Sequence, residues 1–315
     1  MTELWRDQRV LVTGGTGFIG SFLVEKLLAE GARLRVPLRS KNCRYLEHLR
    51  SEIEWLEGDL RDPEYCRVLT EGIDFVFHLA SCRRNVDFHH AHCSDVLTEN
   101  VRMTLSLVEG LRGRSHVPVV FFSTANIPPT YDILSLLKEK EIDGYVLGKA
   151  LCELPWFVAG KERGFPLLLV RPVGVYGPRD TFSADGNVIP ALIVKAEAAD
   201  DELIVWGTGE QERMFLYVED LVDAVLELVA HGAQGVEYVS SPDLVTVRDL
   251  SEHIRNLVRP DLKIRFDPLR PSGRRSIPLL PLHECLQSFR WTPLQEGLRR
   301  TYAWWKGRVP VSLHG

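Results

Sequence analysis

The sequence has no excess of positive charge, no long apolar run and no paired cysteine spacing. Its formal net charge is −5 and its pI is about 6.1, so it lacks the basic field that holds a nucleic-acid backbone. No stretch approaches the roughly 20 apolar residues of a membrane-spanning helix. The first apolar run is short and ends in a glycine loop rather than a cleavage site. We therefore expect a cytoplasmic protein that partners neither nucleic acid nor membrane.

The bulk composition is that of an ordinary globular protein. The chain has 315 residues, of which 45% are hydrophobic and 26% are charged, enough for one large domain or two modest ones. Its six cysteines are scattered without CxxC spacing. This usage is typical of reduced thiols in a reducing compartment, so we expect no disulfides.

Short apolar or β-branched runs alternate with segments of helical period from residue 9 to about residue 171. This alternation is typical of βαβ units and predicts an α/β fold with a doubly wound parallel sheet. After Gly177 the alternation ceases, and residues 214–239 resemble a helix followed by a strand. The sequence thus predicts one domain from residues 1–177 and 214–242, and a smaller α/β lobe from residues 178–213 and 243–315. The predicted strands of the first domain are residues 10–13, 34–38, 53–57, 75–80, 117–123 and 166–171.

A glycine-rich turn, TGGTGFIG at residues 13–20, lies directly between the first predicted strand and an amphipathic helix. Glycines there permit a tight turn and a close approach to a pyrophosphate, whose charge the helix N-terminus favours. A tight turn without a ligand is the alternative. We interpret the turn as the start of a dinucleotide site whose predicted contacts are Gly14, Thr16, Gly17, Phe18, Ile19 and Gly20.

The end of the second predicted strand indicates which dinucleotide is bound. NAD-binding folds place an acidic residue there to bind the adenosine ribose, whereas this chain has Arg39. A guanidinium can pair with a 2′-phosphate, so NADP is favoured, with NAD possible and a solvated surface arginine as the alternative. Asp59 and Leu60 after the third strand, and Leu79 and Ala80 at the end of the fourth, are further predicted cofactor contacts.

Tyr145 and Lys149 stand one helical turn apart, so a phenol and an ammonium share one helix face. A nearby cation stabilises phenolate and lowers a tyrosine pKa from about 10 toward neutrality, which suits proton exchange with a sugar oxygen. Thr124 lies at the carboxyl end of the fifth predicted strand, the edge where open α/β sheets bind ligands. Two roles are open for Thr124: its hydroxyl takes part in catalysis, or it caps the loop at the strand end.

The ordered motifs TGGTGFIG, GDL, HLA, FFST, YVLGK and RPVGVYGP resemble the extended short-chain dehydrogenase/reductases, over residues 9 to about 305. The resemblance implies a Rossmann-type sheet, Tyr145 as proton donor or acceptor, and Lys149 on the nicotinamide ribose. It also implies Thr124 as the hydroxyl partner and Pro172 among the cofactor contacts. A homodimer through helices near residues 100–111 and 145–160 is expected by the same resemblance.

The second half resembles the nucleotide-sugar branch, and within it the GDP-L-fucose synthases, through the segments NVIPALI, IVWGTG and RMFLYVEDL. By that likeness Asn187 and Val188 would contact the diphosphate or sugar, Trp206 would lie near the base, and Arg213 would pair with phosphate. A surface salt bridge is the alternative for Arg213. Arg270, Arg274 and Arg275 would either reach the diphosphate or be solvated.

Two positions depart from the GDP-L-fucose synthase pattern. Asn126 and Asn187 stand where those enzymes have a cysteine and a histidine that epimerise carbons 3 and 5. An amide exchanges no proton near neutral pH, so this epimerisation is disfavoured, while both residues remain predicted substrate contacts. His89 and Cys93 could share a helix face, but no further ligand cluster is evident in the sequence, so no metal is expected.

Together these features predict NADPH-dependent reduction of a 4-keto nucleotide-sugar, with a GDP-linked deoxyhexose favoured and Tyr145 as the general acid/base. One alternative is a 4-epimerase that holds NAD(P) tightly, because that reaction would need the same three residues, Tyr145, Lys149 and Thr124. Another is a protein that senses NADP without chemistry, although such proteins commonly lose the tyrosine or the lysine.

Overall fold

The structure is a computed structural model that describes residues 4–82, 86–128, 136–137, 143–184, 186–270 and 281–308. The chain divides into two compact units. The first comprises the described residues of 1–172, 224–239 and 283–286, and the second those of 173–223, 240–282 and 287–315. Within the described ranges, no helix combines the length and the apolar character that a bilayer crossing requires.

The first unit is built on a parallel seven-stranded sheet with the strand order β10-β6-β5-β4-β1-β2-β3. All six strand pairings are parallel, and the order reverses between β1 and β4. The doubly wound sheet predicted from the sequence is therefore confirmed. Its strands are β1 (Arg9–Thr13), β2 (Arg33–Leu38), β3 (Ile53–Glu57), β4 (Phe75–His78), β5 (Val119–Phe122), β6 (Leu167–Pro172) and β10 (Gly235–Val239).

Helices alternate with these strands along the chain. They are α1 (Phe18–Ala29), α2 (Pro63–Leu69), α3 (Val86–Ala91), α4 (Cys93–Gly110), α5 (Gly144–Arg163) and α7 (Val218–Ala230), with 3₁₀ turns at Arg44–Leu49 and Glu284–Leu286. The first unit includes α7 only from Ala224 onward. The sequence sets both ends of α5. The Asp143 side chain accepts hydrogen bonds from the first backbone N–H groups of the helix, and Gly164 ends it in the left-handed conformation (φ 78°).

An apolar core in the first unit fixes α2, α4 and α5 on the sheet. Trp156 of α5 and Leu107 of α4 are fully buried in it, together with Phe121 of β5 and Leu169 of β6. Burial of such side chains is the main favourable contribution to folding, so the sheet and these helices form a rigid support for residues at the strand ends.

The second unit has two small sheets, β11-β9-β7 and β12-β8. Residues 214–217 were predicted to belong to the first domain, but they form the end of β9, which pairs with β7 and β11, and the first unit resumes only at Ala224. Thr246 caps one helix of this unit by accepting from the N–H of Asp249. The elements are β7 (Gly174–Tyr176), α6 (Val188–Ala198), β8 (Glu202–Trp206), β9 (Glu212–Tyr217), β11 (Leu244–Thr246), α8 (Val247–Val258), β12 (Lys263–Asp267) and α9 (Leu294–Lys306).

Candidate active site

The glycine loop between β1 and α1 is packed too tightly for side chains. Gly14 has φ +71°, and a Cβ there would lie 2.7 Å from the backbone nitrogen of Ala80. A Cβ on Gly20 would overlap the carbonyl oxygen of Gly14. Gly17 stands at the N-cap of α1, where it offers no side chain to the first N–H groups. The loop therefore presents bare backbone at the start of a helix, which fits a dinucleotide pyrophosphate.

The loop also borders the end of β4, where the strand order reverses. The Oγ1 atom of Thr13 accepts from the N–H of Ala80 at 3.2 Å and lies 2.7 Å from Nδ1 of His78. Complete burial lowers the pKa of His78 to about 3, and the charge of Lys149 lowers it further in the same direction. His78 is thus a neutral imidazole that joins β1 to β4, and Leu79 and Ala80 lie directly beside the glycine loop.

Arg39 and Asp59 lie at the carboxyl ends of the neighbouring strands β2 and β3. Arg39 is exposed, and the side chain of Asp59 accepts from Nε of Arg61 at 3.0 Å. The hydrogen bond from Arg61 lowers the pKa of Asp59, and the charge of Arg39 contributes in the same direction. Asp59 is therefore ionised near Arg39, while Leu60 packs against the apolar core.

Lys149 connects α5 to the end of β5. It is 3% exposed, its Nζ donates to the carbonyl oxygen of Phe122 at 2.7 Å, and the same atom lies 5.9 Å from the centroid of the Tyr145 ring. Thr124 follows two residues after Phe122 and is buried. The structure therefore brings Tyr145, Lys149 and the strand end that carries Thr124 together.

Two backbone–backbone hydrogen bonds and one to its own hydroxyl set the position of Thr124. The N–H of Ser123 donates to the carbonyl oxygen of Val170 at 2.7 Å, and the N–H of Ala125 donates to that of Pro172 at 3.0 Å. The N–H of Asn126 donates to Oγ1 of Thr124 at 3.3 Å, and the Asn126 side chain is exposed. Thr124 is thus held between two residues that continue the pairing of β5 with β6 beyond the strand.

A buried polar network behind this strand end was not predicted from the sequence. Glu153 of α5 and Arg171 of β6 form a two-point ion pair, Nε to Oε1 at 2.9 Å and Nη2 to Oε2 at 2.6 Å, with both side chains at most 1% exposed. The hydroxyl of Ser123 donates to Oε1 of Glu153, and Nη1 of Arg171 donates to the hydroxyl of Tyr238 at 2.8 Å. The signal in the sequence was a glutamate one helical turn after Lys149.

His89, considered as a metal ligand, lies beside Tyr145. The two rings are parallel within 14° and their centroids are 5.1 Å apart. In the part of the chain that the structure describes, no group of three or more His, Cys, Asp or Glu side chains is arranged to hold a metal ion.

In the second unit, Asn187 forms the N-cap of α6 and precedes Val188, the exposed first residue of that helix. Nδ2 of Asn187 lies 3.4 Å from both carboxylate oxygens of the buried Asp180. The amide is therefore oriented by an acid that the sequence did not single out. Arg274 and Arg275, two further predicted contacts, lie outside the described residues.

Trp206 ends β8 and has two cations close to its ring. Nζ of Lys195 lies 4.2 Å from the indole, and Cζ of Arg270 lies 5.4 Å from it. Arg213 of β9 donates from Nη1 to the carbonyl oxygen of Glu212 at 2.8 Å, and burial lowers its pKa. Two cations thus lie beside a large aromatic ring at the end of β8, an arrangement suited to stacking and anion binding.

A doubly wound parallel sheet with a glycine loop after β1 and a tyrosine–lysine pair beside β5 defines a short-chain dehydrogenase/reductase. The sequence profile described as the NAD dependent epimerase/dehydratase family matches residues 10–240. The chain belongs to this family, and its expected place among the extended short-chain dehydrogenase/reductases is confirmed.

Two curated relatives are similar to the chain over nearly its whole length. A dTDP-4-dehydro-6-deoxy-D-allose reductase from a Streptomyces species is 31% identical over an alignment 321 residues long, gaps included. The alignment covers 96% of this chain and 98% of that protein. The GDP-mannose 3,5-epimerase of Arabidopsis thaliana is 28% identical, with 99% of this chain and 90% of that protein covered. Both names describe enzymes of nucleotide-linked sugars, the branch expected from the sequence.

Solved structures share the fold. The UDP-N-acetylglucosamine 4-epimerase of Methanobrevibacter ruminantium, in complex with UDP-N-acetylmuramic acid, is 25% identical with a TM-score of 0.82, covering 96% of this chain and 100% of that chain. The Thermus thermophilus UDP-glucose 4-epimerase, in complex with NAD, has a TM-score of 0.81 at 24% identity, covering 96% of this chain and 100% of that chain.

Proposed function

We propose that this protein catalyses the NADPH-dependent reduction of a 4-keto nucleotide-sugar, with Tyr145 as the general acid. The observation that carries this proposal is the arrangement of Lys149. Its buried Nζ bonds to the end of β5 at 2.7 Å and lies 5.9 Å from the ring centroid of Tyr145. An ammonium held in this way stabilises a phenolate, which is what proton transfer by tyrosine near neutral pH requires.

The bound dinucleotide would supply the hydride that reduces the keto carbon. As the keto oxygen gains negative charge, the hydroxyl of Tyr145 would give it a proton and become a phenolate. Lys149 would stabilise that phenolate, and the hydroxyl of Thr124 would donate a hydrogen bond to the same sugar oxygen. The predicted cofactor contacts lie in the first unit, as do the predicted substrate contacts Thr124 and Asn126. The other predicted substrate contacts lie in the second unit: Asn187, Val188, Trp206 and Arg213.

The preference for NADPH depends on Arg39. An exposed guanidinium at the end of β2 can pair with a 2′-phosphate, and the ionised Asp59 nearby is held by Arg61. Arg39 therefore supports NADP over NAD in this chain, although the family profile is described by NAD.

The substrate class follows from the relatives and the second unit together. The aromatic ring and positive charge around Trp206 suit a nucleoside diphosphate. The favoured GDP-linked deoxyhexose stays a prediction, and the 31% identical reductase of a dTDP-linked sugar makes that nucleotide the direct competitor. Purified enzyme should be tested on GDP-, UDP- and dTDP-linked 4-keto sugars, with NADPH consumption followed at 340 nm.

The decisive variant is Tyr145→Phe, which removes the proton and keeps the ring. It should lower kcat by about 10² to 10⁴, the usual contribution of a general acid. NADPH binding, measured by fluorescence titration, should be unchanged. Full activity in this variant would refute the assignment of Tyr145.

A 4-epimerase is the second candidate, favoured by the solved 4-epimerases that share the fold. It would oxidise and re-reduce the same carbon with the same three residues. Protein purified with tightly held NAD, and no net NADPH oxidation on any keto sugar, would select this alternative. The presence of both Tyr145 and Lys149 argues against the third hypothesis, a protein that binds NADP as a sensor without catalysis.

A further inference from the structure

His89 has no part in the proposed chemistry, yet it is built against the residue that performs it. Its imidazole lies parallel to the phenol ring of Tyr145, with centroids 5.1 Å apart and a 14° angle between the planes. His89 is 4% exposed and belongs to α3, the short helix that follows β4 in the chain. One face of the Tyr145 ring is therefore covered by a buried side chain of another element.

Asp143 lies close to both residues of this stack. Its Oδ1 accepts from the N–H of Tyr145 at 2.8 Å and from that of Val146 at 3.2 Å, which fixes the first turn of α5. The same atom lies 3.8 Å from Nδ1 of His89, an electrostatic distance rather than a hydrogen bond. One carboxylate thus fixes the backbone of Tyr145 and faces the imidazole that covers its side chain.

The start of α4 packs closely against the start of α5. A Cβ on Gly144 would lie 2.5 Å from the Cα of Cys93, so glycine alone permits this approach of α4 to α5. Cys93 lies four residues after His89. The segment that carries His89 is therefore anchored on the residue that immediately precedes Tyr145.

We propose that His89 is a positioning residue that fixes the orientation of the Tyr145 phenol for proton transfer. This inference rests on the proposed function of Tyr145. The physical reason is that a tyrosine side chain is free to rotate about its Cα–Cβ bond, and this rotation moves the hydroxyl at the far end of the ring. A parallel ring on one face removes that freedom, so that the phenol stays near Lys149 and at one distance from the sugar oxygen.

Two substitutions at position 89 test whether an aromatic ring is needed there. His89→Ala removes the stack and should lower kcat about ten- to a hundredfold, the cost of a misplaced catalytic group, while the Kd for NADPH stays unchanged. His89→Phe keeps an aromatic ring and should restore kcat to within a few fold of wild type. The control is His92→Ala, because His92 is exposed and stacks on Phe88. This control variant should leave kcat unchanged. Unchanged kcat in His89→Ala, or equal losses in the Ala and Phe variants, would overturn the proposal.

A second measurement needs no turnover. The protein is labelled with 3-fluorotyrosine, and the ¹⁹F resonance missing from Tyr145→Phe is that of residue 145. His89→Ala should move this resonance toward that of the free amino acid, whereas His89→Phe should keep it displaced. An unmoved resonance in His89→Ala rejects the stack as a positioning device. Failure of the proposed function is distinct, because wild-type protein would then oxidise no NADPH whatever the ¹⁹F result.

Discussion

Replacement of Glu153 by Gln tests the buried network that supports the end of β5, next to Thr124. The carboxylate of Glu153 lies between the guanidinium of Arg171 and the hydroxyl of Ser123, and the ion-paired side chains are at most 1% exposed. Gln keeps the shape of Glu but removes its charge. The guanidinium of Arg171 would remain in the core, bonded to the hydroxyl of Tyr238 but without the carboxylate of Glu153.

The size of the effect follows from burial and geometry. Breaking a buried ion pair from one side costs about 3–5 kcal/mol of unfolding free energy, because the remaining charge stays in a medium of low polarity. The two-point contact at 2.6 and 2.9 Å places this pair among the strong ones. Removal of both charges, by Glu153→Met with Arg171→Met, should destabilise less than Glu153→Gln alone, since no buried guanidinium then loses its carboxylate.

Chemical unfolding followed by tryptophan fluorescence measures this loss, because Trp156 is buried in the core that surrounds α5. The control is Glu64→Gln, which breaks the exposed pair with Arg67 and should leave the unfolding midpoint unchanged. A midpoint shift for Glu153→Gln no larger than that of Glu64→Gln would refute the reasoning. So would a double variant less stable than the single one.

Three further predictions concern the cofactor, the pH dependence of stability and the assembly. Arg39→Ala should raise KM for NADPH about tenfold, the worth of one charge-assisted hydrogen bond, and leave KM for NADH unchanged. Equal changes in the two KM values would show that Arg39 does not bind the 2′-phosphate. Burial lowers the pKa of His78 to about 3, so the unfolded chain binds a proton more readily than the folded one and stability is lost as pH falls from 6.5 toward 3. His78→Gln should remove up to one proton from the pH slope of unfolding in that range, and an unchanged slope would contradict a neutral His78. Phe157 and Val158 are 47% and 60% exposed on α5, so we expect a homodimer through this face. Val158→Glu with Phe157→Glu should then halve the mass measured by light scattering, whereas an unchanged dimer would reject this face.

Much of the first unit could be predicted because its signals are local. All six predicted strands are present. The central strands β5 and β6 are buried along their whole length and appear as continuous apolar runs, whereas β2 alternates buried with more exposed residues. The ends differ for physical reasons. The β4 strand ends at His78 rather than at residue 80, where the N–H of Ala80 bonds to the side chain of Thr13. The β5 strand begins at Val119, because the N–H of Val117 bonds to Arg114 and Pro118 has none to give.

The second unit could not be read in the same way. Residues 212–217 contain an apolar run whose partners are the three-residue strands β7 and β11, far away along the chain. Such non-local pairing leaves no local periodicity, so the sequence placed residues 214–217 with the helix that follows them. The orienting acid Asp180 was missed for the same reason, because its contact with Asn187 depends on a loop conformation that no periodicity encodes.

The most informative part of the sequence proves to be one face of α5. Tyr145, Lys149 and Glu153 follow each other at intervals of four residues, so the helix presents all three on one side. Lys149 holds the carbonyl oxygen of Phe122 and Glu153 holds the hydroxyl of Ser123, the two residues that precede Thr124. The spacing predicted the chemistry of the first two members, but not the role of Glu153. That role depends on Arg171, which reaches Glu153 only because β6 pairs in register with β5, so the supporting half of the site becomes visible only in the folded sheet.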